Sequence, residues 1–542
     1  MDPSVLLLLS LGLPLAGAAA IWIVAPLGVR FVRWTALAAT LLTLACAIGV
    51  TAMVLQAPGT WPHIERTWLT PAAGSIWDIR FALGLDGISL WLYGLTTLLM
   101  LTSVLVSWRA VDRDEGLFYG LLLLLEAGCL GVFCAQDVVL FYISFEFTLI
   151  PLYFLIGIWG SEARRLAARK FFLYTLAGSL LTFVSILTLV GWSYHTTSVA
   201  TFSIDGLRQI LEVHPMPVAW QMVVFWGLFA GFAIKVPLFP FHTWLPLAHV
   251  QAPAAGSIFL AGILLKMGTY GFLRFSLPML PAATAAAAPV LVFLAVAGII
   301  YGALVALAQT DIKRLIAYSS VSHMGYCVLG LFVLNSVGVR GGLLQMLSHG
   351  ISTGALFALV GMLYERYHTR DIEAFRGLAR QLPWFSCFFV LFTLSSIGLP
   401  GLNGFAGEFM VLIGTFQHAW SESLADHVTW MRWLSVVAVA GVVLGAWYML
   451  WLVRRLLFGP WRAPHVDEHG AAAIRDLDLR ERLALAPLAV FVFWIGLWPQ
   501  YFTGPMSESI DQAFRAAAVT AAHPTQPSPI AQTNPQPLAP NP

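Results

Sequence analysis

The sequence predicts an all-α polytopic membrane protein with about fourteen transmembrane helices. Three observations support this prediction: the composition, the spacing of the apolar stretches and the placement of the basic residues. Hydrophobic residues make up 59% of the 542 residues, charged residues only 10%, and the mean hydropathy is +0.80. Soluble domains carry about 25% charged residues, so lipid must be the solvent for most of this chain.

Apolar stretches long enough to cross a bilayer recur along the chain. A hydrocarbon layer about 30 Å thick is crossed by about 20 apolar residues in a helix. The first such stretch lacks the basic residues that open a signal peptide, so we expect an uncleaved membrane helix there. The predicted spans lie near 4–25, 34–55, 86–108, 117–135, 137–159, 170–193, 219–240, 254–276, 287–308, 313–334, 341–363, 384–415, 431–456 and 482–502.

The basic residues test this count of spans. With the N-terminus outside, most of the 29 Lys and Arg residues fall in loops on one side of the membrane, which we call the basic side. Lys235 and Lys266 remain inside spans. The positive-inside rule makes the basic side cytoplasmic. An even number of spans then predicts that both termini lie on the periplasmic side.

Two of the predicted spans read as broken helices. The stretch 219–240 contains Pro237 and Pro240, and the stretch 384–415 is too long for one span and contains Gly398 and Pro400. These are the seventh and twelfth spans. Interrupted spans at corresponding positions indicate inverted repeats in transporters. We therefore predict two inverted five-helix repeats, made of spans 4–8 and 9–13.

The repeats divide the chain into five predicted parts. Three N-terminal helices precede the first repeat, and a loop with the last helix follows the second repeat. The final segment is rich in Pro, Gln and Asn, and we expect it to be disordered. The boundaries are 1–116 for the N-terminal helices, 117–276 and 287–456 for the repeats, 457–505 for the loop and last helix, and 516–542 for the tail.

Ionisable side chains inside these spans point to function. A charge at the centre of a bilayer costs roughly 2.5–3.5 kcal/mol, so each such residue needs a partner, water or a role. Two of the four lysines, Lys235 and Lys266, lie in apolar spans. Burial favours the neutral form of an amine, which makes a buried lysine a plausible proton carrier. Glu146 is the expected counter-charge on a neighbouring span. The alternative is a structural Lys–Glu pair that only fixes helix packing.

A second group of ionisable residues lies in the later spans. Glu408 follows the Gly- and Pro-rich break, where unpaired backbone groups need protein or water. His323 and His349 lie within spans near Ser and Thr, and histidine relays protons close to neutral pH. Each could instead be a hydrogen-bonded structural residue. Glu126 is evenly balanced between the two roles, and we expect structural roles for four residues nearer the interfaces, Asp86, Asp137, His242 and His249.

The cysteines predict no metal or redox centre. The five are Cys46, Cys129, Cys134, Cys327 and Cys387, and all lie in apolar stretches without a C-x-x-C pair. We expect them to be small apolar side chains within helices.

Four motifs give the chain a family resemblance. FEFTLIPLYFLIGIWG, KVPLFPFHTWLPLAHVQAPAAGSIFLAGILLKMGTYG, DIKRLIAYSSVSHMGY and SSIGLPGLNGFAGEF closely resemble the antiporter-like subunits of respiratory complex I, over most of residues 80–455. The best agreement is with the M-type members, the homologues of mitochondrial subunit 4. They are distinguished by glutamate at the Glu408 position, where the L- and N-type members usually carry lysine.

The resemblance implies roles for six residues. Glu146 matches the glutamate of the fifth span, Lys235 the lysine of the seventh that pairs with it, and Lys266 the connecting lysine of the eighth. His323 and His349 resemble polar relay residues, and Glu408 matches the terminal group of the twelfth span. The path would move protons, driven by oxidation of NADH by quinone in partner subunits.

The resemblance also implies where the protein works. FMN, iron–sulfur clusters and quinone would be held by partner subunits, and none by this chain. Its partners would be other membrane-arm subunits of complex I, especially the sister subunits L and N, in a bacterial inner membrane. A subunit of a multisubunit Na⁺/H⁺ antiporter or of a membrane-bound hydrogenase is the alternative function, and a structural membrane scaffold is a third.

Overall fold

A computed structural model describes residues 2–57, 59–69, 77–421, 428–462 and 475–522. Within these ranges the chain forms 22 α-helices. They are α1 Pro3–Val24, α2 Val29–Gln56, α3 Leu90–Ala110, α4 Glu115–Cys134, α5 Val138–Phe147, α6 Leu149–Trp159, α7 Arg164–Thr197, α8 Ile204–Val213, α9 Val218–Lys235, α10 Trp244–Gln251, α11 Ala254–Phe259, α12 Leu265–Gly271, α13 Leu277–Met279, α14 Pro281–Leu307, α15 Ile312–Phe332, α16 Ser336–Tyr367, α17 Leu378–Gln381, α18 Pro383–Ser396, α19 Asn403–Ala419, α20 Val428–Leu457, α21 Leu479–Leu497 and α22 Pro499–Ala522.

The described strands are short and lie between the helices. They are β1 His63–Thr67, β2 Trp77–Asp78, β3 Arg80–Gly84 and β4 Ala200–Thr201. β1 pairs with β3 in antiparallel register, and β2 pairs with β4 in parallel register. Across β1 and β3, Arg80 donates to Glu65, and this hydrogen bond holds the pKa of the Glu65 carboxyl below its usual value. The strands therefore make small caps outside the spans.

The helices confirm the predicted fold class. Twelve described helices, counting joined segments as one, are long and apolar enough to cross a membrane, and the bent pair α21 and α22 brings the number to 13. The remaining predicted span is divided between α18 and α19, because the helix ends at Ser396 and resumes at Asn403. All fourteen predicted stretches are therefore helical, but the twelfth contains no single helix long enough to span.

Both predicted helix breaks are confirmed. α9 ends at Lys235, and the chain turns through the two prolines before α10 begins at Trp244. Between α18 and α19, Gly398 and Gly401 have positive φ angles of 73° and 89°. A residue with a Cβ adopts such angles only at a cost, which explains the glycines at this turn.

The structure also shows irregularities that the sequence analysis did not predict. The fifth span is interrupted at Thr148, where α5 gives way to α6. Pro151 follows this point and cannot donate a backbone hydrogen bond to the carbonyl four residues earlier. In the eighth span, π-helical turns at Leu260–Leu264 and Phe272–Ser276 flank α12. Such turns often occur at functional sites.

The most deeply buried spans are the eighth, tenth and eleventh. The apolar window of the eighth span is 100% buried, and those of the tenth and eleventh are each 94% buried. By contrast, the windows of α1 and α2 are only 33% buried. The residues predicted to carry protons on the central spans are therefore shielded from lipid by the surrounding helices.

The C-terminal helices bend sharply at the side opposite the basic loops. α21 and α22 meet at an angle of 74°. α22 is tied to the bundle by hydrogen bonds from Trp91 Nε1 to the carbonyl of Phe502 (2.9 Å) and from Ser336 Oγ to Asp511 (3.0 Å). It runs to Ala522, into the range predicted as a disordered tail, because residues 516–522 are Ala-rich and contain no proline. Residues 523–542 lie outside the described ranges.

Candidate functional site

Four of the six predicted site residues lie in one connected line. Lys266 Nζ is 2.6 Å from His349 Nδ1, and His323 Nδ1 is 2.8 Å from Glu408 Oε1. The two imidazole rings are 5.7 Å apart between centroids. We call these four residues the central cluster. They come from four different spans, so the tertiary fold alone brings them together.

Each member of the central cluster is held by its own element. Lys266 lies on α12 between the two π-helical turns, and its Nζ also donates to the carbonyl of Ala261. His349 and His323 lie within the long helices α16 and α15. Glu408 lies in the second turn of α19, just after the helix break, and the Gly398 backbone approaches its carboxylate. The break therefore leaves room for this side chain.

The central cluster is buried and hydrogen-bonded within the protein. The exposed fractions are 0% for Lys266, 3% for His349, 6% for His323 and 4% for Glu408. Glu408 also accepts a hydrogen bond from Gln345 Nε2 at 2.9 Å. Because imidazole can accept a proton at one ring nitrogen and release one from the other, this line can pass protons.

A group of small polar residues, Ser348, Ser352, Ser395 and Asn403, lies beside the cluster and was missed by the sequence analysis. Ser352 Oγ is 2.5 Å from Ser395 Oγ, and Asn403 Nδ2 donates to the carbonyl of Ser348 at 3.1 Å. Between this polar group and the two histidines is a cavity of about 10 Å³, which has room for about one water molecule. The serines at 348, 352, 395 and 396 were the available signal, but their shared location depends on how α16 packs against α18.

Glu146 and Lys235, the predicted charge pair, interact without a direct ion-pair contact. Lys235 Nζ instead lies 4.4 Å from the centre of the Phe145 ring, and it has no hydrogen-bond partner among the described residues. Glu146 ends near Ser179 on α7, within range of the lysine's charge. The Phe145 ring thus provides the described close contact of the ammonium group. The two groups therefore interact through space rather than by contact.

An apolar contact separates Lys235 from the central cluster. α12 packs tightly on α9 at Gly268, where an added Cβ would come within 2.6 Å of the Phe232 carbonyl. In the described part of the chain, no hydrogen bond joins Lys235 to Lys266. The six predicted residues thus form a pair and a cluster of four, not one continuous chain.

Two further buried bases lie on the basic side of Lys266. His249 is fully buried, stacks on Phe357 at 4.4 Å, and has no hydrogen-bond partner for either ring nitrogen within the described ranges. It is within range of the charges of Lys266 and Lys313. Lys313, at the start of the tenth span, is 6% exposed and donates to the Ala252 carbonyl at 2.5 Å. Nearby, a polar opening of about 570 Å³ faces the basic side.

Of the other ionisable residues singled out in the sequence, Asp137, His242 and Asp86 have structural contacts, and Glu126 is buried without a partner among the described residues. Asp137 caps α5 by accepting from the backbone of Val139 at 2.8 Å, the structural role that was predicted. His242 stacks against Phe239. Glu126 is 0% exposed, and neither carboxylate oxygen has a partner among the described residues. Asp86 forms an ion pair with Arg274.

Within the described residues, no group of three or more His, Cys, Asp or Glu side chains is arranged to hold a metal ion. All five cysteines are free, and three of them, Cys129, Cys134 and Cys327, are buried in helices.

The fold and the site together define a class of protein: a polytopic membrane protein with interrupted spans and a buried line of Lys, His and Glu. Residues 135–429 match the family described as NADH:quinone oxidoreductase/Mrp antiporter, transmembrane. The chain belongs to this family.

Named relatives match along nearly the whole chain. NADH-quinone oxidoreductase subunit M of Rhodobacter capsulatus is 41% identical over 527 residues, which cover 95% of this chain and 98% of the relative. NADH-ubiquinone oxidoreductase chain 4 of Chondrus crispus is 42% identical and covers 78% of this chain and 81% of its own length.

Solved structures agree. A chain of respiratory complex I from Thermus thermophilus with bound NADH has a TM-score of 0.80 at 31% identity, covering 94% of this chain and 99% of that one. A chain of the Mrp complex from Dietzia sp. DQ12-45-1b has a TM-score of 0.76 at 21% identity, over 96% of this chain and 98% of that one, and supports the fold alone.

Proposed function

We propose that this chain is the M-type proton-translocating subunit of NADH:quinone oxidoreductase. The observation that supports this most directly is the central cluster, in which lysine, two histidines and glutamate form a line inside the membrane-spanning bundle. A charged group at this depth is costly, and ionisable residues kept in membrane spans mark ion and proton pathways. The chain also belongs to the NADH:quinone oxidoreductase/Mrp antiporter family, which supports proton transport coupled to NADH oxidation.

Protons reach Lys266 from the basic side. Lys313 is two residues from Asp311, which lines the polar opening, and the unpaired His249 ring is within range of the charges of both lysines. A low-dielectric surrounding favours the neutral amine, so each lysine can accept a proton and give it up again. The positive-inside rule makes this side cytoplasmic and places both termini in the periplasm.

From Lys266 the proton moves along the central cluster. Lys266 Nζ transfers it to His349 Nδ1, and the free His349 Nε2 borders the small cavity shared with His323. One water molecule there would carry the proton to the second imidazole. His323 then protonates Glu408 across their 2.8 Å contact.

Glu146 and Lys235 act as the coupling pair. Their charges interact without contact, so a change in the protonation of Glu146 changes the energy of the charge on Lys235. Such a through-space interaction transmits a signal from a neighbouring subunit without moving the proton itself.

The redox chemistry belongs to partner subunits. We propose that FMN, iron–sulfur clusters and quinone are bound there, and that the neighbours of this chain include the sister subunits L and N. The cellular location that follows is the bacterial inner membrane, which the chain crosses many times.

The proposal is tested with Glu408→Gln in assembled complex within inner-membrane vesicles. NADH oxidation by an artificial electron acceptor should be unchanged, because the redox subunits are untouched. Proton pumping should fall by about tenfold or more, the typical worth of a positioned proton-transfer group. Glu373→Gln, at an exposed site on the basic side, is the matched control. Normal pumping by assembled Glu408→Gln complex would contradict the proposal.

A second function has support from the family, which also includes Mrp antiporter subunits. A Na⁺/H⁺ antiporter subunit would exchange sodium for protons without NADH. Purification tests this alternative: the chain should copurify with NADH-oxidising activity, and its proton movement should not require sodium.

A further inference from the structure

Lys266, Tyr270 and Arg274 follow one another at four-residue intervals along the eighth span. Residues spaced in this way lie on one helix face, here leading from Lys266 toward the side opposite the basic loops. Arg274 lies in the π-helical turn Phe272–Ser276. A proton on Lys266 could leave in this direction instead of passing to His349, so this face is a potential leak.

The contacts of Tyr270 and Arg274 block that direction. The Tyr270 hydroxyl accepts a hydrogen bond from Arg274 Nε at 2.8 Å and donates to the carbonyl of Phe133 at 3.4 Å. Its single proton is therefore engaged by the Phe133 carbonyl. Because a proton relay requires a hydroxyl that can both accept and release along the path, this arrangement breaks the line.

Asp86 holds the guanidinium in place. Arg274 Nη1 is 2.5 Å from Asp86 Oδ2, and the two side chains are only 12% and 23% exposed. The other carboxylate oxygen of Asp86 accepts from the backbone of Ile88 and Ser89, each at 3.0 Å. The next residue, Gly87, donates to Ser509 of α22 at 3.0 Å. The anchor is thus fixed both to α3 and to the C-terminal helix.

We propose that Arg274, positioned by Asp86 and Tyr270, is an electrostatic seal that stops protons on Lys266 from leaking to the side opposite the basic loops. The inference rests on the proposed function, since a seal is needed only if Lys266 carries protons. A guanidinium keeps its charge at every physiological pH. Fixed positive charges of this kind exclude protons from narrow membrane pathways. Arg274 acts through its fixed charge, and no proton passes through it; Asp86 and Tyr270 are the residues that position it.

The test uses the assembled complex in proteoliposomes. NADH oxidation builds a pH gradient, oxidation is then stopped with an inhibitor, and the decay of the gradient is followed. Arg274→Gln should oxidise NADH normally but build a smaller gradient that decays faster than that of the unmodified complex. Arg274→Lys, which keeps the charge, should build and hold a gradient close to that of the unmodified complex. Arg208→Gln removes a charge from a partly exposed pair on the same side and should have no effect.

Two further variants make the result decisive. Adding Lys266→Met to Arg274→Gln should abolish the extra decay, because the leak begins at Lys266. Should Arg274→Gln fail to assemble, Asp86→Asn releases the guanidinium with a change of a single atom and should show the same leak. An unchanged decay rate in either assembled variant overturns the seal. If Glu408→Gln also pumps normally, the proposed function fails with it; if that variant stops pumping, only the seal is wrong.

Discussion

Lys266 is a base in a nonpolar setting with no carboxylate to balance it. Among the described residues its Nζ contacts only the Ala261 carbonyl and His349, and both are neutral acceptors. Glu408, by contrast, has a histidine and an amide as partners. An isolated buried ammonium is strongly disfavoured, so the proton on Lys266 is weakly held and readily passed on. This instability makes the residue suitable as a carrier.

Lys266→Arg separates carrying a proton from carrying a charge. Guanidinium is positive like ammonium but does not give up its proton in proteins. We therefore expect assembled Lys266→Arg complex to lose proton pumping by about tenfold or more. The measurement is NADH-driven quenching of a pH-sensitive dye in vesicles, with acceptor-linked NADH oxidation as the check on assembly. Pumping close to normal would mean that a fixed charge suffices there.

At this scale the sequence predicted the chemistry of the site better than its geometry. Rare ionisable residues in apolar spans identify Lys266, Glu408 and the two histidines without any structure. Which of them touch depends on helix packing: Glu146 and Lys235 interact through space, and the close contact of the ammonium group is with Phe145. Lys313 begins a helix next to a charged loop, and only the packed structure shows that it is buried.

Helix interruptions place the site residues at the scale of secondary structure. The break between α18 and α19 lets Glu408 approach α15 and α16, which a straight helix through this region would not provide. Gly398 is essential to that turn, with a φ of +73° and with Glu408 Oε2 only 3.0 Å from where a Cβ would lie. Gly398 therefore sets both the backbone turn and the space available to the Glu408 carboxylate.

Gly398→Ala should impair both stability and pumping. The left-handed backbone conformation costs an L-residue about 1–2 kcal/mol, and the new methyl group would push on the Glu408 carboxylate. Gly459→Ala is the matched control, since Gly459 has a φ of +102° but nothing lies within 4 Å of its Cβ position. Both variants should lower the thermal stability of the complex, and only Gly398→Ala should slow pumping. Equal pumping by the two variants would show that the contact with Glu408 is unimportant.

A buried ion pair fastens the last span to the core. Arg366 of α16 makes two hydrogen bonds to Glu481 of α21, at 2.9 and 2.6 Å, and the Glu481 side chain is only 3% exposed. Glu481 also completes a capping box with Asp478. The ion pair thus joins α16 to α21, and Glu481 also caps the N-terminus of α21.

Glu481→Gln should weaken assembly without affecting proton transfer. Removing one partner of a buried ion pair costs about 3–5 kcal/mol, because the other charge is left uncompensated. Its exposed counterpart, Glu373 paired with Arg455, should lose at most about 1 kcal/mol when changed to Gln. Thermal denaturation of the purified complex measures both, and pumping per assembled complex should stay normal. A Glu481→Gln complex as stable as the unmodified one would show that other contacts attach α21 to the bundle.

At the scale of the whole molecule, the order of the spans was predictable and their packing was not. Hydropathy identifies each span because every segment, whether it faces lipid or other helices, lies in an apolar surrounding, and the prolines and glycines reveal the breaks. The central position of the eighth, tenth and eleventh spans is a property of the assembled bundle, and so is the crossing of α22 over the ends of other helices. The inverted repeats remain a prediction supported by the two breaks.

The sidedness of the chain can be tested by labelling introduced cysteines. Thr60 and Glu162 are both exposed, on loops predicted to lie on opposite sides of the membrane. Since the basic loops should be cytoplasmic, Glu162→Cys should react with a membrane-impermeant maleimide in inside-out vesicles, and Thr60→Cys in right-side-out vesicles. The control is the parent protein with its five cysteines replaced by alanine. The reverse labelling pattern would invert the direction of proton uptake and place the Arg274 seal on the cytoplasmic side, so orientation and mechanism stand or fall together.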